Sequence, residues 1–97
     1  MNKASIVCNS FDSKDVFNKD KFNIDFKYDN NKYTAIVYFK KETNIELEES
    51  LLTIRQYSGE YWIDNKTYVF NISIAMEKYH ISNIYNKYFI TTNISLK

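Results

Sequence analysis

The sequence is short of the residues that usually shape tight loops and cross-links. Among its 97 residues there is no proline, one glycine, Gly59, and one cysteine, Cys8. A glycine-rich phosphate-binding loop needs several glycines whose backbone can approach a ligand closely, so that class of site is excluded. A single cysteine also excludes an internal disulfide and fits a reducing compartment. We therefore expect a cytoplasmic protein that is held together by its apolar core.

Charge of either sign is not in excess. The 13 basic and 12 acidic residues give a net charge of +1, which argues against both a general polyanion binder and an acidic mimic of nucleic acid. Arg55 is the only arginine, whereas lysine, asparagine, isoleucine and tyrosine are abundant. Because these abundant residues have A/T-rich codons, we attribute the bias to an AT-rich bacterium, phage or mobile element. No apolar run is long enough for a signal peptide or a membrane span.

The clearest fold signal is a hairpin at residues 21–41. From Phe22 to Tyr28 apolar and polar residues alternate with the period of two that is typical of a half-buried strand. Asn30 and Asn31 follow, and asparagine tolerates the positive φ of a two-residue type I′ turn. This loop predicts a register that places apolar residues opposite one another: Tyr28 with Tyr33, Phe26 with Ala35, Ile24 with Val37 and Phe22 with Phe39.

Residues 44–57 predict a helix. Thr43 and Glu46 have the spacing of a capping box, apolar residues recur at i, i+4 and i+7, and Gly59 lies where a glycine would end the helix. A β-hairpin is the alternative, because apolar residues also alternate locally in this segment. The alternating residues are Ile45 and Leu47 before the Glu48-Glu49 pair and Leu52 and Ile54 after it.

A second hairpin is predicted at residues 60–76, around a loop of Asp64, Asn65 and Lys66. Its register pairs Ile63 with Tyr68, and the strand that follows alternates as far as Met76. The other expected elements are an opening strand at 4–8, a loop or one helical turn after Ser13 within 9–20, an undecided segment at 77–87 and a final strand at 88–96.

These elements predict a single α+β domain spanning residues 1–97. Its antiparallel sheet has five to six strands built from two hairpins, 21–41 and 60–76, and one helix near 44–57 covers it. An OB-like small β-barrel is the alternative, because that fold also places a helix between its third and fourth strands. This likeness lies in the order of elements alone.

No constellation of residues indicates catalysis. His80 is the only histidine, and together with Cys8 it cannot supply the three or four ligands of a zinc site. Cys8 as a nucleophile with His80 as its base would need a cationic setting that the sequence does not indicate. The glutamates near residue 46 lack the spacing of a calcium loop. We expect neither enzymatic activity nor a cofactor or metal.

Aromatic residues make protein binding the leading functional hypothesis. They form 18% of the chain, and tyrosine and tryptophan are enriched at the centres of interfaces because they combine a large apolar area with a polar tip. We expect a small protein-binding module, such as an inhibitor, immunity or anti-defence protein, whose partner is another protein or a second copy in a homodimer. The candidate partner-binding residues are Trp62, Tyr79, Tyr85 and Tyr88.

Single-stranded nucleic-acid binding is the alternative hypothesis. The polar face of the first hairpin combines lysines with an aromatic ring, as proteins that stack bases and follow a phosphate backbone do. Asp25 on the same face and the small net charge count against it. The candidate residues are Lys21, Lys27, Tyr38 and Lys40.

Overall fold

The protein is a six-stranded antiparallel sheet that curls until it is nearly closed, like a small β-barrel with little helix. The computed structural model describes residues 6–81 and 86–97. The strands lie in the sheet in the order in which they occur along the chain. The elements are β1 (Ile6–Cys8), α1 (Ser13–Val16), β2 (Lys21–Tyr28), β3 (Asn31–Glu46), β4 (Ser50–Ile63), β5 (Lys66–Tyr79) and β6 (Asn86–Leu96).

The sheet curls because β3 changes partner half-way along its length. Up to Tyr38 it pairs with β2, and from Tyr38 to Glu46 it pairs with β4. The register shifts between Phe39 and Lys41, so Lys40 is an extra residue, and such a bulge increases bend and twist in a strand. The first half of β3 can therefore turn away from β4 and bring β2 over the inner face of β5.

The core lies between β2 and the inner faces of β4 and β5. Every second residue of β2 is buried, which confirms the period of two read from the sequence. The Phe26 and Phe70 rings meet across the core with centroids 4.9 Å apart, and the Tyr28 hydroxyl donates to Asp64 at 3.0 Å. The largest side chains that are almost wholly buried are Ile24, Phe26, Val37, Tyr57, Phe70, Ile72 and Ile74.

Both hairpins form, but both predicted registers are wrong by two residues. The first turn is Asp29-Asn30, with φ of 49° and 64°, so Tyr28 lies opposite Asn31. The second is Asp64-Asn65. Aspartate also adopts positive φ readily, so neighbouring Asp and Asn residues left the position of each turn undetermined. A two-residue shift keeps each side chain on its face. The observed pairs are Phe26–Tyr33, Ile24–Ala35, Phe22–Val37, Tyr61–Tyr68 and Ile63–Lys66.

The first turn offers a test of this assignment. Asn30→Gly should raise the free energy of unfolding by about 0.5 kcal/mol, because glycine adopts the positive φ of this position without a steric cost. Asn31→Gly should lower it, because residue 31 begins β3, where glycine is unfavourable. Urea denaturation of the two variants measures the difference. The opposite order of stabilities would show that the loop is Asn30-Asn31.

The predicted helix at 44–57 is wrong, and its alternative, a hairpin, is confirmed. β3 runs on to Glu46, the chain turns at residues 47–49, and β4 begins at Ser50, with Ile45 opposite Leu52. Thr43 lies opposite Ile54 in the ladder and caps no helix. The whole of β4 pairs with β5, and this long ladder together with β-branched residues outweighs the local capping signal.

The fold is thus less helical than the α+β class predicted, and its coarse form supports the small β-barrel. An OB barrel has a Greek-key strand order, however, whereas this sheet is a meander. The helical turn predicted after Ser13 is present as α1, although its N-cap is Asp12, whose carboxylate accepts from the Lys14 amide. The final strand is confirmed as β6, and residues 82–85 of the undecided segment lie outside the described residues.

Candidate functional site

A buried polar cluster around Arg55 fixes the segment that contains α1 beneath the sheet. The guanidinium lies over the Phe39 ring, 4.1 Å from its centroid, and Nε donates to the Tyr57 hydroxyl at 2.9 Å. One terminal nitrogen donates to Glu42 at 2.8 Å and the other to the Lys19 carbonyl at 3.2 Å. Burial disfavours the charge, but hydrogen bonds to Tyr57 and Glu42 outweigh it, so the pKa of Arg55 is raised.

Tyr57 completes this cluster from the centre of the core. Only 1% of its surface is exposed, and its hydroxyl lies 2.8 Å from the Phe17 carbonyl and slightly farther from those of Val16 and Lys19. A hydroxyl has one proton to donate, so Tyr57 donates mainly to the nearest carbonyl, that of Phe17, and accepts a hydrogen bond from Arg55. The cluster is therefore a structural clamp that holds this segment against the core.

The outer face of the sheet carries a shallow groove of about 280 Å³ across β3 to β6. Three cross-strand rows meet there, because residues opposite one another share a face. The middle row is Lys41, Gln56, Ser73 and Thr91; the rows beside it are Tyr38, Ser58, Asn71 and Asn93, and Thr43, Ile54, Ala75 and Phe89. Amides and hydroxyls thus form the floor, with Lys40 beside them at the bulge.

No carboxylate belongs to these three rows of the described sheet. In the row on one side, Glu60 is paired with Lys97 at 2.9 Å. In the row on the opposite side of the groove, the Glu77 carboxylate accepts hydrogen bonds from Ser50 and Tyr79. Glu42 follows Lys41 but turns to the inner face, where it binds Arg55. The groove is therefore locally positive although the chain is nearly neutral.

Two exposed aromatic rings border the groove. Tyr38 is 48% exposed and lies opposite Ser58, and Phe89 is 54% exposed and two residues from Thr91 on the same face of β6. Lys21 lies directly opposite Tyr38 on β2. The rings are about 20 Å apart, from the spacing of strands and the rise along them.

The second notable surface is the free edge of β6. The Lys97 amide donates to the Thr67 carbonyl at 2.9 Å, and bonded pairs alternate along an antiparallel ladder. Odd-numbered residues of β6 therefore bond to β5, whereas the backbone groups of even-numbered residues face away from it. No other strand in the described part of the chain pairs with them.

The two edges of the sheet differ in how well they are protected against pairing with other chains. In the part of the chain that the structure describes, β1 has three residues, and such a short edge offers little to a partner. β6 has eleven residues, and from Tyr88 to Leu96 it contains no charge, proline or glycine. The usual protecting features of an edge strand are missing from this segment. α1 covers its start, where Phe17 packs on Tyr88 with centroids 5.8 Å apart, so the open stretch runs from Ile90 to Leu96.

The structure does not bring the predicted partner-binding residues together. Trp62 is 68% exposed beside the second turn, and Tyr79 is at the other end of β5, roughly 40 Å away at the rise of a strand. Tyr79 donates to Glu77 at 3.0 Å. Tyr88 packs inward on Phe17, and Tyr85 lies outside the described residues.

Three of the four predicted nucleic-acid residues do come together. Lys21 and Tyr38 are cross-strand neighbours, and Lys40 is at the bulge beside them. Lys27 lies six residues along β2, about 20 Å from Lys21, where it faces Lys32. The groove residues of β4 were missed because that segment was predicted to be helical. If residues 50–63 had been assigned as a strand, the outward-facing polar residues of that strand would have indicated the groove.

Cys8 and His80 show no arrangement for chemistry. Cys8 packs against the core beside Phe26, and burial raises the pKa of its thiol, which disfavours the reactive thiolate. His80 lies 3.7 Å from Glu46 at the tip of the β3–β4 hairpin. Among residues 6–81 and 86–97, no three histidine, cysteine, aspartate or glutamate side chains are grouped as metal ligands. The same residues include no helix with the length and apolar character of a membrane span.

Comparison of the chain with protein families, curated proteins and solved structures finds no match.

Proposed function

We propose that the protein is a protein-binding module that accepts an extended strand of a partner along the free edge of β6. The observation that carries this proposal is the unprotected stretch from Ile90 to Leu96. An added strand would satisfy the outward backbone groups of its even-numbered residues, and main-chain hydrogen bonds supply affinity in complexes of this type. Specificity would come from the exposed apolar side chains of Ile90 and Leu96.

The partner is another protein or a second copy of the chain. Antiparallel pairing of two β6 strands about Thr92 would place Ile90 opposite Ile94 of the other copy. The apolar side chains of the two copies would then pack on one another. The composition supports an inhibitor, immunity or anti-defence role in an AT-rich bacterium, phage or mobile element. Binding along an edge suits such a role, because it needs no catalytic group.

Proline scanning of β6 tests the edge. Thr92→Pro removes an amide that faces away from β5, so we expect the free energy of unfolding to change by less than about 1 kcal/mol. Thr91→Pro removes an amide that bonds to β5 and leaves the Ser73 carbonyl unpaired, so it should cost about 2 kcal/mol. Chemical denaturation of both variants establishes which face of the ladder is free.

The same variants then test binding. Light scattering over a wide range of concentrations detects a second copy, and selection from a displayed random-peptide library detects affinity for other strands. Thr92→Pro should weaken the dimer or the selected peptides at least tenfold, and Thr92→Val, which keeps the amide, should not. Equal binding by Thr92→Pro and the wild type would refute the edge as the binding site.

A further inference from the structure

We infer that the outer groove of β3 to β6 binds single-stranded nucleic acid, a function separate from strand addition at the β6 edge. Three features of the groove support this inference. They are its rings, its lining and its charge, and they belong to one continuous face of the sheet. The edge, in contrast, acts through backbone groups that point away from β5.

The rings provide stacking platforms. Tyr38 and Phe89 are about half exposed at opposite corners of the groove, and neither belongs to the core cluster of the described residues. Bases stack on such rings whatever their identity, because every base has a π face. The separation of about 20 Å leaves room for a few nucleotides between the two platforms.

The floor provides hydrogen bonds to base edges. Gln56, Asn71 and Asn93 present amide groups, each with both a donor and an acceptor, and Ser73 and Thr91 add hydroxyls. Side-chain amides can pair with the edges of unstacked bases, which single strands expose. A purely apolar partner would leave these groups unsatisfied, whereas a base offers polar edges to the amides and apolar faces to the aliphatic parts of the lining.

The charge provides contacts for phosphates on one side of the groove. Lys40 and Lys41 lie at the β3 border and Lys21 beside Tyr38, while the three rows contain no carboxylate. Lysines at the β3 border match a strand whose phosphates lie beside Tyr38 and whose bases cross the floor towards Phe89. A double helix would not fit this arrangement, because its bases are not free to stack on side chains.

Fluorescence anisotropy with labelled single-stranded RNA and DNA oligonucleotides of mixed sequence tests the inference. The double variant Lys40→Glu/Lys41→Glu should weaken binding at least tenfold at moderate salt. The matched control is Lys27→Glu/Lys32→Glu, which changes the net charge equally on a cross-strand pair away from the groove. This control should bind within about threefold of the wild type, because phosphate contacts are local.

Salt dependence and the ring give two further readouts. Three lysine contacts predict that log K falls with log salt concentration with a slope of about −2, and the groove variant should retain roughly a third of that slope. Tyr38→Ala should weaken binding roughly tenfold, whereas Tyr38→Phe, which keeps the ring, should not. Thermal unfolding of each variant confirms that the fold is retained.

The outcomes are distinct from those for the edge. Tighter binding of either RNA or DNA supports the inference and identifies which sugar the groove prefers. Absence of binding to any oligonucleotide at low salt refutes it, and so does an equal loss in the two charge-reversed variants. Competition by inorganic polyphosphate as strong as that by an oligonucleotide also refutes it, because polyphosphate has no bases. None of these results depends on Thr92, so the two proposals stand or fall separately.

Discussion

Gly59→Ala is expected to lower the free energy of unfolding by about 3 kcal/mol. A Cβ built at this position would overlap the carbonyl oxygen of Ile36 and crowd the backbone of Val37. Because both neighbours are main chain in the core of the sheet, neither can move aside as the end of a flexible side chain would. For a domain of this size, whose total stability is commonly about 5–15 kcal/mol, such a loss is a large fraction of the whole.

The cause is space rather than backbone conformation. No glycine in the described chain has positive φ, so alanine could adopt the backbone angles of Gly59. Gly59 lies where β3 parts from β4, and the two backbones approach closely there before they diverge. Glycine is the residue that permits such an approach. The prediction that Gly59 would end a helix is wrong. The glycine instead marks the point where β3 and β4 separate.

Urea denaturation of Gly59→Ala, with Ser58→Ala as its control, measures this effect. Ser58 is the adjacent residue and faces outward into the groove, so its replacement should change stability by less than about 0.5 kcal/mol. Near-native stability of Gly59→Ala would show that β3 and β4 are not in close contact at this point.

Arg55→Ala is the second large effect, at about 3 kcal/mol. It removes the ring contact with Phe39 and the donors to Tyr57 and to the Lys19 carbonyl. The partner carboxylate of Glu42 is 38% exposed, so it is partly rehydrated, and we set the loss at the lower end for a broken buried ion pair. Glu42→Gln should cost less than Arg55→Ala, because glutamine keeps an acceptor for the guanidinium, although it leaves that buried charge without a counter-charge.

Arg55→Lys separates charge from geometry. A lysine ammonium keeps the charge, but it cannot donate in three fixed directions or stack its plane on a ring, so it should recover little of the loss. The variants should also release the segment that contains α1, because Arg55 and Tyr57 hold its carbonyls. Limited trypsin digestion at Lys14 and Lys19 reports that release, and full protection in Arg55→Lys would show that charge alone suffices.

The sequence could predict the strands whose two faces differ. In β2 the alternation from Phe22 to Tyr28 is complete, since one face meets the core and the other meets solvent. The same holds for the buried residues of β5. Turn regions were equally visible, because Asp and Asn tolerate positive φ, but neighbouring residues share that tolerance and the register could not be fixed.

The candidate surfaces needed the register as well as the strands. Lys21, Tyr38 and Lys40 could be grouped from the first hairpin, but their neighbours on β4, β5 and β6 come from distant parts of the chain. The edge of β6 could not be recognised as free until its position in the sheet was known. Trp62 is exposed, as a partner-binding residue must be, but nothing local showed that Tyr79 would lie far from it.

By itself, the sequence determined an antiparallel sheet with an aromatic core, the two Asx-rich hairpin turns and the absence of a disulfide within the given sequence. These depend on local alternation, on residues that tolerate positive φ and on a cysteine count, which no distant contact can alter. The tertiary structure alone decided that residues 44–57 are strands, that Arg55 and Tyr57 form a clamp and that Gly59 marks the point where β3 bends. Each of these outcomes depends on hydrogen bonds and packing between residues far apart in the chain, and these outweigh local propensity.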